Sequence, residues 1–337
     1  MTTCIKRPLI SVGVTTYNRP ELLKDCVSSI LSQTYENIQI VIANDYVSVP
    51  VTFDSLNIEP DSRVRIVNHE NNIGAFENNH FLPLVASGEW FTWLADDDLM
   101  HPEFLDAAWE IFSSAPVKAV FSDYVAEVSP EGVFPLPVQR TPPRIFGGTE
   151  FFLDYTARCF RTVGSYGVFH REIFEQFRRI KRFGTGLPVY GDTFLPLFAA
   201  ALDKVAFVDQ PLIFLRTHAD SRSASSSELI DYASAQYDFV SAFKVCCGPL
   251  CSHEQLQRCL SNMVRWFAAD SWAVTCRGDK NVWQRITCFA KHAVGALLPM
   301  VDAVRRPILA LGMVAMVGAD SLRYLGSMAL KSVRRQG

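Results

Sequence analysis

The 337-residue sequence has no strong excess of charge of either sign. It contains 32 Lys and Arg residues against 35 Asp and Glu residues, a net charge of −3. Domains that bind nucleic acid are usually strongly basic, so nothing in this balance indicates a nucleic-acid partner. Hydrophobic residues make up 49% of the chain and charged residues 20%, which is enough apolar material for a sizeable core and excludes global disorder.

Targeting and disulfide signals are also missing. The apolar residues 8–14 run directly into polar residues 15–18, without the charged, apolar and small-residue segments of a secretory signal. The nine cysteines are scattered and have no framework spacing. Together these two absences predict reduced thiols and a cytoplasmic location.

No paired C-x-x-C knuckles are present, although one group of potential zinc ligands is close together in the sequence. That group comprises Cys246, Cys247, Cys251, His253 and Cys259. Structural zinc sites commonly combine two such knuckles. The favoured interpretation is therefore small apolar side chains packed in helices, with a zinc site as the alternative.

Roughly the first 125 residues alternate strand and helix signals, which is typical of an α/β layer structure. Short apolar runs predict strands at residues 9–15, 38–43, 64–67, 89–94 and 118–122. Helical spacing predicts helices that begin at Pro20, Gly74 and Pro102, the second of them interrupted by Pro83. Strands joined by helical crossovers should be parallel.

Polar residues fall where these predicted strands end. They are residues 15–18, Asn44 and Asp45, Asn68, and the run Asp96–Asp98. Ligands of parallel α/β sheets bind beyond the carboxyl ends of the strands. The spacing therefore predicts a ligand site at this edge of the sheet.

The rest of the chain changes character. Residues 129–148 are rich in Pro and Gly and predict a surface loop, whereas residues 149–218 mix helix and strand signals. From about residue 226 onward only helices are predicted. Residues 307–319 are almost wholly apolar but too short to span a bilayer as a helix.

The C-terminal region is also basic. Residues 281–337 contain eight basic and two acidic residues, a local charge of +6. Apolar helices with basic flanks suit the surface of an anionic membrane. The alternatives are a helical subdomain packed on the core and an interface between copies in an oligomer.

The three consecutive aspartates are the most informative short motif. Like charges raise one another's pKa, and a divalent cation such as Mn²⁺ or Mg²⁺ removes that cost by binding hard oxygen ligands. If the segment stayed extended, Asp96 and Asp98 would point the same way and could share a cation. The alternative is a solvated acidic turn that caps the helix predicted at Pro102.

These residues lie within segments that resemble the family-2 glycosyltransferases of the GT-A fold, over roughly residues 8–220. The segments are PLISVGVTTYNRPELLKDCVSSILSQTY, IVIAND and NHENNIGAFENNHFLPLVASGEWFTWLADDDLMHPEFL, followed by VYGDTFLPL and FLRTHADSRS. Each is weak alone, whereas their order and spacing together are specific. The resemblance implies a Rossmann-like, mostly parallel sheet flanked by helices.

The resemblance also implies a nucleotide site. Its residues would be Thr15, Tyr17, Asn18, Asn44, Asp45, Asn72, Gly74, Asp96, Asp97 and Arg216. Thr15, Tyr17 and Asn18 would line the base pocket, and Asp45 would hydrogen-bond the base, usually uracil. Because Asn44 and Tyr46 stand where the family often has Asp and Gly, the resemblance does not fix the base.

A metal site and a catalytic base are implied in the same way. Asp96, Asp98 and His218 would hold Mn²⁺ or Mg²⁺, although Ala95 stands where the family most often has an acidic residue, so two registers of the aspartate motif stay open. Arg216 would contact the diphosphate. Asp192 would take the proton of the acceptor hydroxyl. The alternative for Asp192 is a helix N-cap, and for His218 a polar surface residue.

The resulting hypothesis is an inverting glycosyltransferase with a GT-A domain at residues 1–222 and a helical region at residues 223–337. The donor would be a nucleotide-diphosphate sugar, with UDP favoured, and the acceptor a glycan or lipid-linked sugar. The protein would work in the cytoplasm at the inner face of the membrane. Alternatives are a nucleotidyltransferase, which often has a Gly-rich phosphate loop that GVTTYN does not provide, and a non-catalytic nucleotide-sugar binder. A nicotinamide enzyme is disfavoured because no G-x-G-x-x-G follows the first strand.

Overall fold

The computed structural model of the chain describes residues 7–127, 141–177, 190–216, 229–276, 282–301 and 305–333. These residues fall into two compact units. The first is formed from residues 1–151 and 160–221, and the second from residues 152–159 and 222–337. Residues 152–159, predicted as part of the first domain, therefore group with the C-terminal helices.

The first unit is built on a nine-stranded sheet. Its strands are β1 (Ile10–Thr16), β2 (Ile38–Asn44), β3 (Val64–Asn68), β4 (Trp90–Ala95), β5 (Leu99–Met100), β6 (Ala119–Glu127), β7 (Arg144–Phe146), β8 (Val168–His170) and β9 (Val205–Arg216). The strand order is β3-β2-β1-β4-β8-β6-β9-β5, with β7 also paired to β9. Strands β1, β2, β3 and β4 are mutually parallel, as the helical crossovers between them predict.

Among the described residues, seven helices accompany the sheet along the chain. They are α1 (Pro20–Leu31), α2 (Phe53–Leu56), α3 (Ala75–Val85), α4 (Phe104–Ser114), α5 (Gly148–Thr156), α6 (Arg171–Phe177) and α7 (Gly191–Leu202). A short 3-10 turn at Gly164–Tyr166 precedes β8. The predicted mixed α/β class and mostly parallel sheet are confirmed.

The hydrophobic core of this unit joins the sheet to α1 and α4. Val12 and Val14 of β1 share one buried cluster with Leu23 and Val27 of α1. Leu105 of α4 belongs to the same cluster. The buried residues of α1 recur every three or four positions, which is the spacing that places them on one face of the helix.

Two predicted helix boundaries were wrong. Pro83 does not interrupt α3. A proline has no backbone N–H to donate to the carbonyl four residues earlier, that of Asn79. That carbonyl instead accepts a hydrogen bond from Trp93 Nε1 at 3.1 Å. Helix α4 begins at Phe104 rather than at Pro102, after a turn in which the Phe104 amide donates to the His101 carbonyl at 2.9 Å.

The predicted loop at 129–148 also contains regular structure at its end. Residues 144–146 form β7 on β9, and α5 begins at Gly148. Residues 129–140 of that predicted loop lie outside the described residues. Strand β6 extends to Glu127, five residues beyond the predicted end, because its second half pairs with β9 across a bulge.

The second unit is helical throughout its described residues, as predicted. It contains α8 (Leu229–Cys246), α9 (His253–Thr275), α10 (Val282–His292) and α11 (Arg306–Val333). Helix α9 begins at a capping box, in which Ser252 and Gln255 each bond the other's backbone amide. Within the described ranges, no helix combines the length and apolar character that crossing a membrane requires.

Residues from α5 are part of the core of this unit. The ring of Phe152 lies 5.6 Å from that of Phe243, and the ring of Tyr155 lies 6.1 Å from that of Trp266. The Arg158 guanidinium lies 4.5 Å from the centre of the Trp266 ring, within the range of a cation–π contact. These contacts explain why residues 152–159 group with the C-terminal helices.

Candidate functional site

The polar residues at the ends of the parallel strands meet at one edge of the sheet. Thr16 of β1 is in register with Asn44 of β2, which is in register with Asn68 of β3. On the other side of β1, Thr15 is in register with Ala95, immediately before the aspartates. The predicted gathering of these residues is present in the structure.

The aspartate run forms a turn. The Asp98 amide donates to the Ala95 carbonyl at 3.1 Å, so the chain folds back directly after β4. The run is therefore not extended, and the extended backbone that would point the Asp96 and Asp98 side chains the same way is absent. The alternative of a helix cap is not supported either, because α4 has Glu103 as its N-cap and lacks a side-chain capping bond there.

The turn gives the two buried carboxylates different partners. Asp96 accepts a hydrogen bond from Thr16 Oγ1 at 2.7 Å. Asp98 accepts one from the hydroxyl of Tyr166 and another from the Arg216 backbone amide at 3.0 Å. The side chains of Asp96 and Asp98 are thus held by different parts of the chain.

Burial makes these charges costly. Desolvation raises the pKa of Asp98 to about 7, with the neighbouring charge of Asp97 as the second cause. Burial also raises the pKa of Asp96. Both directions show that the protein itself does not fully compensate the negative charge of the turn, which is the condition a bound cation would relieve.

The donor atoms at the turn fit Mn²⁺ or Mg²⁺ in kind, because both ions prefer hard oxygen ligands. Among the described residues no group of three or more His, Cys, Asp or Glu side chains is arranged to hold a metal, and this includes the cysteine group near residue 250. The turn therefore fits a cation that takes one or two carboxylates and completes its shell with substrate oxygens. His218 lies outside the described residues.

Arg19 is a site residue that sequence analysis missed. Its Nη1 lies 3.2 Å from Asp96 Oδ1 and 2.9 Å from Asp97 Oδ2. It precedes Pro20, which disfavours helical backbone at the preceding residue, and its φ and ψ are −134° and 60°. The sequence did contain a signal for this residue. Arg19 is a positively charged residue between the polar end of β1 and the start of α1, and the sheet places β1 beside β4.

Arg216 makes several hydrogen bonds within the protein. Its Nη1 donates to Asp25 at 2.8 Å and its Nη2 to the Leu22 carbonyl at 2.9 Å, while Nε donates to the Asp97 carbonyl. The side chain is 5% exposed. The guanidinium therefore fastens α1 to the aspartate turn, and its contact with the diphosphate stays a prediction.

The residues predicted to line the base pocket lie at the end of β1 and directly after it. Tyr17 is 51% exposed and its ring lies edge-on to that of Tyr46, with centroids 5.1 Å apart. Asn18 adopts a positive φ of 55°, which Asn tolerates better than most residues. Thr15, at the end of β1, is partly buried. Tyr17 is the residue of this group that offers a broad exposed face.

Asp45 organises the loop before α3. Its two carboxylate oxygens accept the backbone amides of Ile73 at 2.7 Å and Gly74 at 2.8 Å. Asn72 Oδ1 also accepts from the Gly74 amide at 2.9 Å. Gly74 has a φ of 84°, in the region that favours glycine, and α3 begins directly after it. The predicted residues Asp45, Asn72 and Gly74 are therefore brought together.

Asn44 is buried and serves the protein itself. Its amide nitrogen donates to the Val49 carbonyl at 3.0 Å and to Asn68 Oδ1 at 2.9 Å, and its oxygen accepts the Tyr46 amide at 3.0 Å. These bonds fix the segment after β2 against β3. Asn44 therefore has a structural role, and its nucleotide contact stays a prediction.

Asp192 lies in the first turn of α7, at the second residue of the helix. The N-cap of α7 is Tyr190, so the alternative in which Asp192 is the N-cap was wrong. The side chain of Asp192 lies outside the described part of the structure.

The fold and the edge of the sheet define an α/β protein with a buried acidic turn beyond its parallel strands, and comparison with known proteins identifies the family. Residues 11–178 match the profile of the family described as glycosyl transferase family 2. The chain belongs to this family.

Two curated relatives illustrate the sequence similarity. Glycosyltransferase GlyG of Streptococcus pneumoniae is 30% identical over 128 residues, covering 37% of this chain and 42% of GlyG. An uncharacterized glycosyltransferase of Haemophilus influenzae is 32% identical over 101 residues, covering 29% of this chain and 31% of that protein. The matched region thus spans less than half the length of these relatives.

Solved structures share the fold. Residues 1–349 of TarS from S. aureus, crystallised with UDP-GlcNAc, align with a TM-score of 0.59 at 13% identity, over 92% of this chain and 88% of that one. The mannosyltransferase PcManGT from Pyrobaculum calidifontis, in complex with GDP-Man and Mn²⁺, aligns with a TM-score of 0.51 at 18% identity, over 95% and 88% of the chains. At these identities the likeness establishes the GT-A fold alone.

Proposed function

We propose that this protein transfers a sugar from a nucleotide-diphosphate donor to a hydroxyl group of a glycan or lipid-linked acceptor. The observation that carries the proposal is the buried aspartate turn at the carboxyl end of β4, beside the polar ends of β1 and β2. Family membership supplies the reaction class, and the geometry supplies a place where a charged leaving group could be bound.

A UDP-sugar is the favoured donor. TarS has been crystallised with UDP-GlcNAc, and PcManGT with GDP-Man and Mn²⁺, so both bases occur on this fold. In this chain, Tyr17 offers the exposed ring against which a base would stack. Asp45 and the loop at Asn72–Gly74 would border that base. The Asp45 carboxylate holds the loop in place by accepting the backbone amides of Ile73 and Gly74.

Asp96 and Asp98, with His218, would hold Mn²⁺ or Mg²⁺. A bound divalent cation supplies charge neutralisation for the departing nucleoside diphosphate. Other residues of this chain position the turn. Thr16 and Tyr166 orient the two carboxylates, and Arg216 fixes the turn to α1.

The proposed reaction is a single displacement that inverts the anomeric carbon. The acceptor oxygen forms a bond to that carbon while the bond from the carbon to the diphosphate oxygen breaks. Asp192 accepts the proton that the acceptor hydroxyl loses, and the electron pair of the broken bond leaves with the diphosphate. Holding donor and acceptor in line contributes the rest of the rate enhancement.

The setting we propose is the cytoplasmic face of the cell membrane. A lipid-linked acceptor would be met there, and the basic, apolar C-terminal helices suit peripheral contact with an anionic surface.

A thermal-shift panel tests the donor site. The purified protein would be melted with UDP-, GDP- and dTDP-sugars, each with Mn²⁺ and with EDTA, since a ligand specific for the folded state raises the melting temperature. We expect a shift for one nucleotide class that disappears with EDTA and in an Asp96→Asn/Asp98→Asn variant. No shift with any nucleotide would contradict the proposal.

A second variant separates an enzyme from a non-catalytic binder. Asp192→Asn should keep the donor-induced shift and lose sugar transfer to acceptor, because it removes the base and not the nucleotide site. Glu175→Gln, which changes a carboxylate at the end of α6, serves as the matched control. Unchanged transfer by Asp192→Asn would remove Asp192 from the mechanism.

A further inference from the structure

Helix α11 has one face buried and another exposed. Leu309 and Met313 are 3% and 6% exposed, and the helix packs on α9. In contrast, Ile308, Leu311 and Val314 are 66%, 71% and 69% exposed. Large aliphatic side chains are therefore in contact with solvent beside others that are fully packed.

The exposed side of the helix is apolar without interruption over its first three turns. The exposed residues from 307 to 319 are Pro307, Ile308, Leu311, Gly312, Val314, Ala315, Gly318 and Ala319. At 3.6 residues per turn these positions fill an arc of about 160° around the helix axis. A continuous exposed apolar surface of this kind marks a place of interaction.

The exposure of its large residues tests whether this segment is only a packed helix. If the apolar stretch were only a packed helix of the C-terminal unit, its large residues should be buried. Leu309 and Met313 satisfy that expectation, whereas Ile308, Leu311 and Val314 contradict it. Within the described residues, no element of this unit covers the exposed arc. The arc is therefore open to a partner outside this unit.

The charge of the region indicates what covers the arc. Residues 281–337 carry +6 in a chain whose total is −3, so positive charge is concentrated here. Arg305 and Arg306 stand at the start of α11, and Arg306 is exposed. A second copy docked on the same face would bring like charges together, whereas an anionic lipid surface complements them.

We infer that the exposed arc of α11 lies in the surface of an anionic membrane. Ile308, Leu311 and Val314 would enter the boundary between headgroups and acyl chains, with the helix axis in the plane of the membrane. Arg305 and Arg306 would meet the headgroup phosphates. The inference rests on the proposed function for its setting, since a lipid-linked acceptor is found at such a surface, but sugar transfer takes no part in its test.

Vesicle co-sedimentation tests this inference. The full chain is mixed with vesicles of phosphatidylglycerol and phosphatidylcholine, and separately with phosphatidylcholine alone, at low and high salt. We expect binding to the mixed vesicles that weakens with salt and is at least tenfold weaker without the anionic lipid. An Ile308→Gln/Leu311→Gln/Val314→Gln variant should bind at least tenfold more weakly than wild type.

A matched control removes similar apolar surface elsewhere in the same unit. Tyr237 and Val245 of α8 are 68% and 55% exposed, and a Tyr237→Gln/Val245→Gln variant should bind vesicles as wild type does. Circular dichroism establishes that each variant is folded. The single variant Leu311→Gln, expected to weaken binding several-fold, keeps the test available if the triple variant does not fold.

Several outcomes would overturn the inference. These are no vesicle binding by the wild type, equal binding by the wild type and the triple variant, or a wild-type dimer that the triple variant converts to a monomer without any vesicle binding. The last result would assign the face to a second copy. The donor-induced thermal shift is measured on the same samples. A lost vesicle interaction with an intact shift overturns this inference alone, whereas vesicle binding without a shift counts only against the proposed donor site.

Discussion

The positive charge of Arg19 lies on the aspartate turn, and it pairs with Asp96, one of the two aspartates that the proposed metal would use. Its guanidinium bonds both Asp96 and Asp97 and is 23% exposed, so it is partly screened by solvent. A pair of this kind contributes on the order of 1 kcal/mol. The same residue should therefore compete with metal binding while no donor is present.

Replacing Arg19 by Gln should tighten Mn²⁺ binding in the absence of nucleotide by roughly fivefold, the equivalent of about 1 kcal/mol. Isothermal titration of the nucleotide-free protein measures this affinity. Arg7→Gln is the control, since Arg7 pairs with Asp106 at 2.7 Å and lies over the Tyr35 ring, and both partners are outside the turn. Unchanged or weaker Mn²⁺ binding by Arg19→Gln would show that Arg19 does not compete with the metal.

Asp98 should make the metal-free protein less stable as the pH rises toward neutrality. Burial foremost, and then the charge of Asp97, raises its pKa from 3.8 to about 7, so the folded state retains a proton that the unfolded state releases. The stability that this group contributes is then complete below pH 3.8 and is lost as the pH rises through the folded value.

Urea unfolding in EDTA at several pH values from 4 to 8 measures this effect. The free energy of unfolding of wild type, relative to Asp98→Asn, should fall across that interval, because Asn cannot titrate. Taking the difference between the two proteins removes the contribution of titrating groups that do not interact with Asp98. Parallel curves for the two proteins would mean that Asp98 titrates in the folded state as it does in the unfolded chain.

At the scale of helices and strands, the sequence was most informative where one periodic pattern fills an element. The apolar runs of β1 to β4 locate the strands to within a residue or two, and the polar residues after them locate the site edge. What escaped prediction depends on distant partners. The turn at Asp96–Asp98 is held by Tyr166 and Arg216, which are 68 and 118 residues away from Asp98. No local pattern encodes such pairs.

Helix α3 continues through a proline because a tertiary contact replaces the missing helical hydrogen bond. Pro83 leaves the Asn79 carbonyl without its helical donor, and Trp93 Nε1 replaces that donor at 3.1 Å. We therefore expect Trp93→Phe to destabilise the protein by about 0.5–1.5 kcal/mol. In a Pro83→Ala background the same change should cost less, because the substituted alanine would bring back a backbone N–H for that carbonyl.

A double-mutant cycle by chemical denaturation measures the coupling between these two positions. Trp109→Phe is the matched control, since Trp109 is also partly buried and packs on Tyr35, outside α3. Its cost should be the same in both backgrounds. An equal cost of Trp93→Phe with and without Pro83 would show that the indole does not replace the missing donor.

At the scale of the whole chain, the two units are not consecutive segments. The chain leaves the first unit after Phe151, contributes residues 152–159 to the second, and returns at Phe160. A boundary near residue 222 separates the C-terminal helices from the sheet but cuts these eight residues from their partners. Composition does not reveal this exchange, because α5 is one continuous helix whose residues fall into both units.

A fragment of residues 1–221 should consequently fold less well than the full chain. Phe152 and Tyr155 are 0% and 3% exposed in the full chain, and their aromatic partners Phe243 and Trp266 would be missing from the fragment. Burying each such side chain contributes about 1.5–3 kcal/mol, and its exposure also creates an apolar surface. We expect a lower melting temperature and concentration-dependent association of the fragment in size-exclusion chromatography.

A Phe152→Ser/Tyr155→Ser version of the fragment should associate less, because it lacks that surface. A monomeric fragment that melts with the full chain would mean that residues 152–159 do not depend on the C-terminal helices.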